Sequence, residues 1–216
     1  TIAFDQKDRA WIGFTYDAQK LYGDALDNRI YSSGGIKVFN LPDSSWISIS
    51  NPEKLPGNDT EASVWSLVFD HMDFLWVMNE KGIRGLTYSV QDNNIILDPL
   101  LKAIDGTAID FLSHVSYTKG NRIRIDSQNN KWIITHKGIW IIQESMVFWP
   151  NEEGLHPDNS GLLSDKVYDV AFDNDKGLAY LATDKGISIL QIPFAENSSK
   201  IKTIYISPNP FILPDH

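Results

Sequence analysis

Five histidines, His71, His114, His136, His156 and His216, are the first residues to consider for acid–base or metal chemistry. No two are four residues apart, the spacing that turns two imidazoles toward one metal from a helix. His71 and His136 fall in polar turns and read as turn residues. Arg122 and Arg124 alternate with apolar neighbours, so both could face a channel or grip a carboxylate, or else reach an exposed edge. Asp173-Asn174-Asp175-Lys176-Gly177 offers alternating oxygens of the kind that wrap calcium, but the remaining ligands of such a loop are missing. Ser33-Gly34-Gly35 is too short for a phosphate-cradling loop and leads into a strand, not a helix. There is no Gly-x-Ser-x-Gly elbow. The chain has no cysteine, which removes disulfides, thiolate metal sites and cysteine nucleophiles together. Its carboxylates are plentiful, but a glycosidase pair is defined by separation in space. The sequence therefore assigns no catalytic residue, no metal ligand and no cofactor, and it leaves the ligand-binding residues open.

Charge and composition narrow the partners. A net charge of -9 over 216 residues argues against nucleic acid, whose phosphates need a basic footprint. No run approaches the roughly 18 apolar residues of a membrane helix. Seven Trp, eight Tyr and ten Phe are many for a disordered chain and predict a packed fold. The chain opens at Thr1 in mid-pattern and without Met, which reads as a cut inside a larger protein.

The elements that must carry these residues come in copies. Val64-Trp65-Ser66-Leu67-Val68-Phe69-Asp70 is followed by Leu75-Trp76-Val77 and Lys81-Gly82-Ile83. Arg122-Ile123-Arg124-Ile125-Asp126 is followed by Lys131-Trp132-Ile133 and Lys137-Gly138-Ile139. Val167 to Asp173 is followed by Ala179-Tyr180-Leu181 and Lys185-Gly186-Ile187. A first copy runs Ile2-Ala3-Phe4-Asp5, Ala10-Trp11-Ile12 and Gly35-Ile36, with residues 16–33 as an insertion. Asp to aromatic is six residues in three copies and seven in the fourth. Aromatic to Gly is six in the last three.

Each copy reads as three short strands and a less regular fourth. Alternation places Trp65, Leu67 and Phe69 on one face, and Tyr168, Val170 and Phe172 likewise. The Asp opens a polar turn, the aromatic begins a second strand, and Lys-Gly makes a tight hairpin with Gly at positive φ. Trp46–Ile49 and Met146–Trp149 supply fourth strands. Leu97–Ile104 reads as a helical turn or two in a loop. Four-stranded antiparallel meanders repeated in this way are blades, and the shortest Asp-to-Asp period, 47 residues, suits one blade. The fold class is all-β: a β-propeller of about four blades, part of a larger ring, over residues 1–194. Trp11, Trp76, Trp132 and Tyr180 occupy one repeat position and should pack between blades. Asp5, Asp70, Asp126 and Asp173 should form turns.

The repeat resembles that of the two-component regulator propeller family, which builds large propellers in bacterial envelope proteins. Glu153-Gly154-Leu155 and Gly161-Leu162-Leu163-Ser164-Asp165-Lys166-Val167 look like that family's inter-blade link. Ile206-Ser207-Pro208-Asn209-Pro210-Phe211 resembles the opening strand of the Ig-like domain that ends many secreted proteins of these bacteria. Residues 195–216 thus read as a linker and the first strand of a truncated Ig-like domain. Together the two features are similar to PorZ-like propeller proteins of the type IX secretion system. The resemblance implies a non-catalytic binding or scaffold propeller that is secreted, periplasmic or on the cell surface. The partners it implies are other blades of the same protein and a protein, glycan or glycolipid. If the four blades form an open arc, residues of Ile2–Ile12 at one end and of Val167–Leu190 at the other are left exposed, and such faces should form homo-oligomers or be covered by other polypeptide of the same protein. Two other readings stand beside it: an oligosaccharide-sensing ectodomain of a hybrid two-component regulator, and a propeller polysaccharide lyase.

Overall fold

The computed structural model describes residues 1–20, 29–32 and 34–193. The stretch read as a linker and Ig-like strand, 195–216, lies outside the described residues, as do Ser33 and His216. Four meanders follow the four sequence copies. Blade 1 is β1 (Ile2–Phe4), β2 (Arg9–Phe14), β5 (Gly35–Asn40) and β6 (Ser45–Ile49). The insertion forms its own hairpin, β3 (Asp17–Lys20) with β4 (Arg29–Ser32). Blade 2 is β7 (Val64–Phe69), β8 (Leu75–Asn79), β9 (Gly82–Gln91) and β10 (Asn94–Pro99). Blade 3 is β11 (Arg122–Ile125), β12 (Lys131–Thr135), β13 (Gly138–Ile142) and β14 (Phe148–Trp149). Blade 4 has three described strands, β15 (Val167–Asp173), β16 (Leu178–Thr183) and β17 (Gly186–Gln191).

Pairing inside every blade is antiparallel. The innermost strands neighbour one another, with β7 beside both β1 and β11. Blades 1 and 2 also join at their outer edges. There β6 and β10 pair in parallel through Asn94 with Ser48 and Ile95 with Ile49, making one eight-stranded sheet. Asn51 secures this seam: its side chain both donates to and accepts from the backbone of Leu97, at 2.7 and 2.8 Å.

The Asp-to-Trp spacing of six has a direct cause. In blade 1, Asp5 Oδ1 accepts the amides of Lys7 and Arg9, and Oδ2 accepts the Trp11 indole N–H at 2.9 Å. Asp70 does the same with Met72, Phe74 and Trp76, and Asp126 with Gln128, Asn130 and Trp132. One carboxylate therefore closes the turn and fixes the indole of the next strand. In blade 4 the spacing is seven and the ring is Tyr180. Asp173 there accepts from the backbone amide and the ammonium of Lys176. The Lys-Gly hairpins form as expected, with Gly82, Gly138 and Gly186 all at positive φ. Asn79, Thr135 and Thr183 each bridge the two-residue loop by accepting the amide two residues on.

The core lies between blades. Trp11, Trp76 and Trp132 are fully buried and sit in three successive inter-blade clusters. The Trp11 ring meets Phe69 edge-on at 5.6 Å, and Trp132 meets Phe172 at 5.1 Å. Tyr180, the fourth member, lies on the outer face of blade 4 instead.

Two expectations are corrected. A β-bulge interrupts β7 between Val64 and Ser66, and another interrupts β15 between Val167 and Asp169. The extra residue flips the alternation. Val64 and Leu67 pack on the blade 1 side while Trp65 packs toward blade 3. Val167 and Val170 are buried while Tyr168 is exposed. The stretch Leu97–Ile104 is not helical. Ile95, Leu97 and Pro99 alternate inward along β10, and the chain then turns through a small hairpin with Lys102 opposite Ala108. A short helix, α1 (Pro157–Ser160), lies instead in the link between blades 3 and 4.

Removing the Trp132 side chain should cost about 3–5 kcal/mol, whereas Trp132→Phe, which loses chiefly the indole bond to Asp126, should cost about 1–3 kcal/mol. Urea denaturation of both variants checks this ranking, and unchanged midpoints would refute an inter-blade role. Acid should act through Asp5. Burial alone would raise its pKa, but bonds from the Trp11 indole, the Arg9 and Lys7 amides and the Arg9 guanidinium together hold it below the ordinary 3.8. A depressed folded pKa gives stabilisation that is complete above about pH 4 and is lost as pH falls through the folded value. The urea midpoint should decline in that window, and Asp5→Asn should flatten the decline.

Candidate interaction faces

Polar chemistry concentrates where side chains of β11 and β15 bridge blades 3 and 4. Arg124 grips Asp169 with two parallel bonds of 2.9 Å, and Arg122 adds a third of 2.9 Å. The sequence left these arginines between a carboxylate grip and an exposed edge; they do grip a carboxylate, and it belongs to the next blade. Burial alone would raise the Asp169 pKa. The bonds from Arg124 and the Val170 amide, with the charge of both arginines, hold it below the usual range. Asp169 in turn raises Arg124. Beside the fork, His136 meets the edge of Tyr168 at 5.9 Å, and Lys166 lies over the Tyr168 ring at 5.6 Å from its centroid. Partial burial and the charges of Lys166 and Arg122 lower the His136 pKa, which favours its neutral form.

The other sequence candidates have structural duties. The His71 amide donates to Asn129 of the following blade. His156 lies 3.1 Å from Asp165 and 2.8 Å from the Glu153 carbonyl, and its ring meets Trp140 edge-on. It thereby ties the link between blades 3 and 4. His114 is exposed. Among the described residues no three His, Asp or Glu side chains gather as a metal would require.

A cleft of about 520 Å³ opens where the turns of blades 1 and 2 meet. Its polar wall holds Lys7, Arg9, Asp73 and Tyr88. The Tyr88 hydroxyl donates to Asp73 at 2.6 Å, and the Arg9 guanidinium stacks over its ring at 5.1 Å. Burial and the Asp73 bond push the Tyr88 pKa far up, so this phenol stays protonated. Such a wall can bind polar groups.

Among the described residues, the outer faces of the end blades expose apolar side chains. On blade 1, register places Phe4, Ala10, Phe39 and Trp46 in one row across four strands. Ile2, Phe4 and Trp46 are 59%, 59% and 57% exposed. A depression of about 710 Å³ lies on this blade, lined in part by Phe14, Lys37 and Trp46. On blade 4, Tyr180 stands between Ala171 and Ile189, with Ile187 beside them. Ile187 and Ile189 are 66% and 62% exposed. The sequence placed Tyr180 at a joint and, for an open arc of blades, expected residues of Val167–Leu190 to be exposed.

No protein-family model matches the chain, and no curated protein matches it in sequence. Solved structures do. The chain aligns over 92% of its length with 32% of PorZ, a surface component of the type IX secretion system of Porphyromonas gingivalis, at 17% identity and a TM-score of 0.49. It aligns over 89% of its length with 56% of a gluconolactonase from Xanthomonas campestris, at 11% identity and a TM-score of 0.50. It aligns over 87% of its length with 26% of an extracellular domain described as part of a hybrid two-component system of B. thetaiotaomicron, at 10% identity and a TM-score of 0.39. The chain spans less than two thirds of each of these proteins. At 11% identity the likeness to the gluconolactonase speaks for the fold alone, and it agrees with the blade geometry: the chain is an all-β propeller of about four blades.

Because the Arg122–Asp169–Arg124 fork is more than a third exposed, it should contribute little to stability. Asp169→Asn should lower it by about 0.5–1 kcal/mol in dilute buffer, with most of the difference erased at 1 M salt. Paired urea titrations at the two salt concentrations check this. A loss of several kcal/mol, insensitive to salt, would contradict it.

Proposed function

We propose that the chain is a non-catalytic scaffold, the propeller portion of an exported bacterial envelope protein, which holds protein partners of the kind a type IX secretion component assembles with. The observation that carries the reading is the make-up of the two end faces. They present Phe4, Trp46, Tyr180, Ile187 and Ile189, the residue types that fill the buried joints between blades. Exposed apolar surface arranged in this way marks protein association. The repeat motif and the Pro208-Asn209-Pro210-Phe211 segment support the envelope setting. No helix among the described residues is long and apolar enough to cross a membrane. The polar clusters support the non-catalytic side: the Arg fork bridges blades 3 and 4, His156 ties the link between them, and the turn aspartates are engaged within their own blades.

Photoreactive residues at Ile189 and, as a control, at Lys102 would test this in living cells of the source bacterium. Ile189 should yield discrete adducts with envelope polypeptide and Lys102 should not. Equal labelling at both positions would overturn the reading. So would turnover of lactones or polysaccharides by the purified chain, with or without calcium, above the uncatalysed rate.

A further inference from the structure

We infer that the two open ends are complementary halves of one joint, so that blade 4 of one copy of this chain docks onto blade 1 of a second copy. The inference rests on the scaffold reading and deepens it by naming the occupant. The internal joints show what a joint consists of. The aromatic of one blade meets the residue just before the Asp of the next: Trp11 meets Phe69, and Trp132 meets Phe172. Trp76 and Ile125 share the middle cluster. A second element recurs at the turns. The residue after each Asp donates to a turn residue of the following blade. The Gln6 amide donates to Asp73, the His71 amide to Asn129, and the Ser127 hydroxyl to Asn174.

Each end of the chain carries half of both elements. Blade 1 offers the receiving half. Phe4 precedes Asp5 as Phe69 precedes Asp70, and it is exposed. Asp8 stands three residues after Asp5, as Asp73 and Asn129 stand after theirs. All three have positive φ, at 56°, 61° and 59°, so Asp8 shares the backbone conformation of the two accepting residues. Blade 4 offers the giving half. Tyr180 stands where the indoles stand, and Asn174 follows Asp173 as His71 follows Asp70. The two halves differ, so the contact is heterologous: it joins head to tail and can close a ring. Two copies would bring eight blades together, a number within the range of closed propellers.

Light scattering on the full chain over a concentration series should show the mass rising from 24.4 kDa to about twice that. Phe4→Asp and Tyr180→Asp, both surface changes whose folding circular dichroism can verify, should each give monomers. Mixing the two variants should restore a dimer, because one intact joint remains between unlike partners. Asp8→Ala should weaken dimerisation without abolishing it. A wild-type chain that stays monomeric at every concentration would overturn the inference. So would a Tyr180→Asp variant that still dimerises alone, which would mean like faces meet. If the chain is monomeric while Ile189 still captures envelope polypeptide in cells, the joint inference fails and the scaffold reading stands.

Discussion

In three of the four blades a bond joins the turn aspartate to the indole six residues later, and this is the constraint from which the rest of the fold follows. A tight turn leaves amides with no strand partner, and a carboxylate can satisfy two of them with one oxygen. The other oxygen is then free to hold an N–H on the returning strand. Trp is suited to that role because its large apolar body needs burial while its one polar atom needs a partner. The clamp thus sets turn length, strand register and ring orientation at once. Turned edge-on to the next blade, the indole becomes the core of the joint. Where the ring is Tyr, as at Tyr180, the spacing is seven and the aspartate turns to Lys176 instead.

Polar contacts give these joints direction, and apolar burial gives them strength. Lys131 is fully buried between blades 2 and 3. It lies 3.2 Å from Asp70, donates to the Asn129 carbonyl at 2.8 Å and stands over the Trp76 ring. A buried ion pair of this kind adds little net stability, because desolvation offsets much of the attraction. Its consequence is selective: a blade that slipped along its neighbour would strand a charge. The turn-to-turn bonds have the same character, since each aligns one blade's turn with the next. Burial of the three indoles and their aliphatic surroundings supplies the bulk of the free energy.

Much of the architecture was legible in the sequence because it repeats. Spacing conserved across four copies of one chain reports a shared geometry, and it located the strands, the Lys-Gly hairpins, the residue 16–33 insertion and the inter-blade tryptophans. What stayed illegible was what does not repeat or has no local signal. A bulge inserts one residue without changing composition, so Trp65 and Tyr168 were assigned to the wrong face. The parallel seam between β6 and β10 joins segments some 46 residues apart through backbone groups, which carry no sequence signature. Leu97–Ile104 is rich enough in Leu to suggest helix, and only the pairing of Leu97–Pro99 with β9 makes its first part strand. The Arg122–Arg124 pair was visible as a motif, but its carboxylate lies 45 residues away in another blade.

The end faces show why the site was harder to read than the fold. A joint residue and an interface residue are chosen by the same physics: apolar bulk at the blade face, an acceptor in the turn. Phe4 and Phe69 are therefore alike in sequence and differ only in what lies against them. In a protein made of stacked like units, each unit's stability depends on its neighbours. On the scaffold reading, the outermost faces bind for the same reason that the inner ones cohere, and no separately evolved site is needed: apolar bulk at the blade face and an acceptor in the turn suffice.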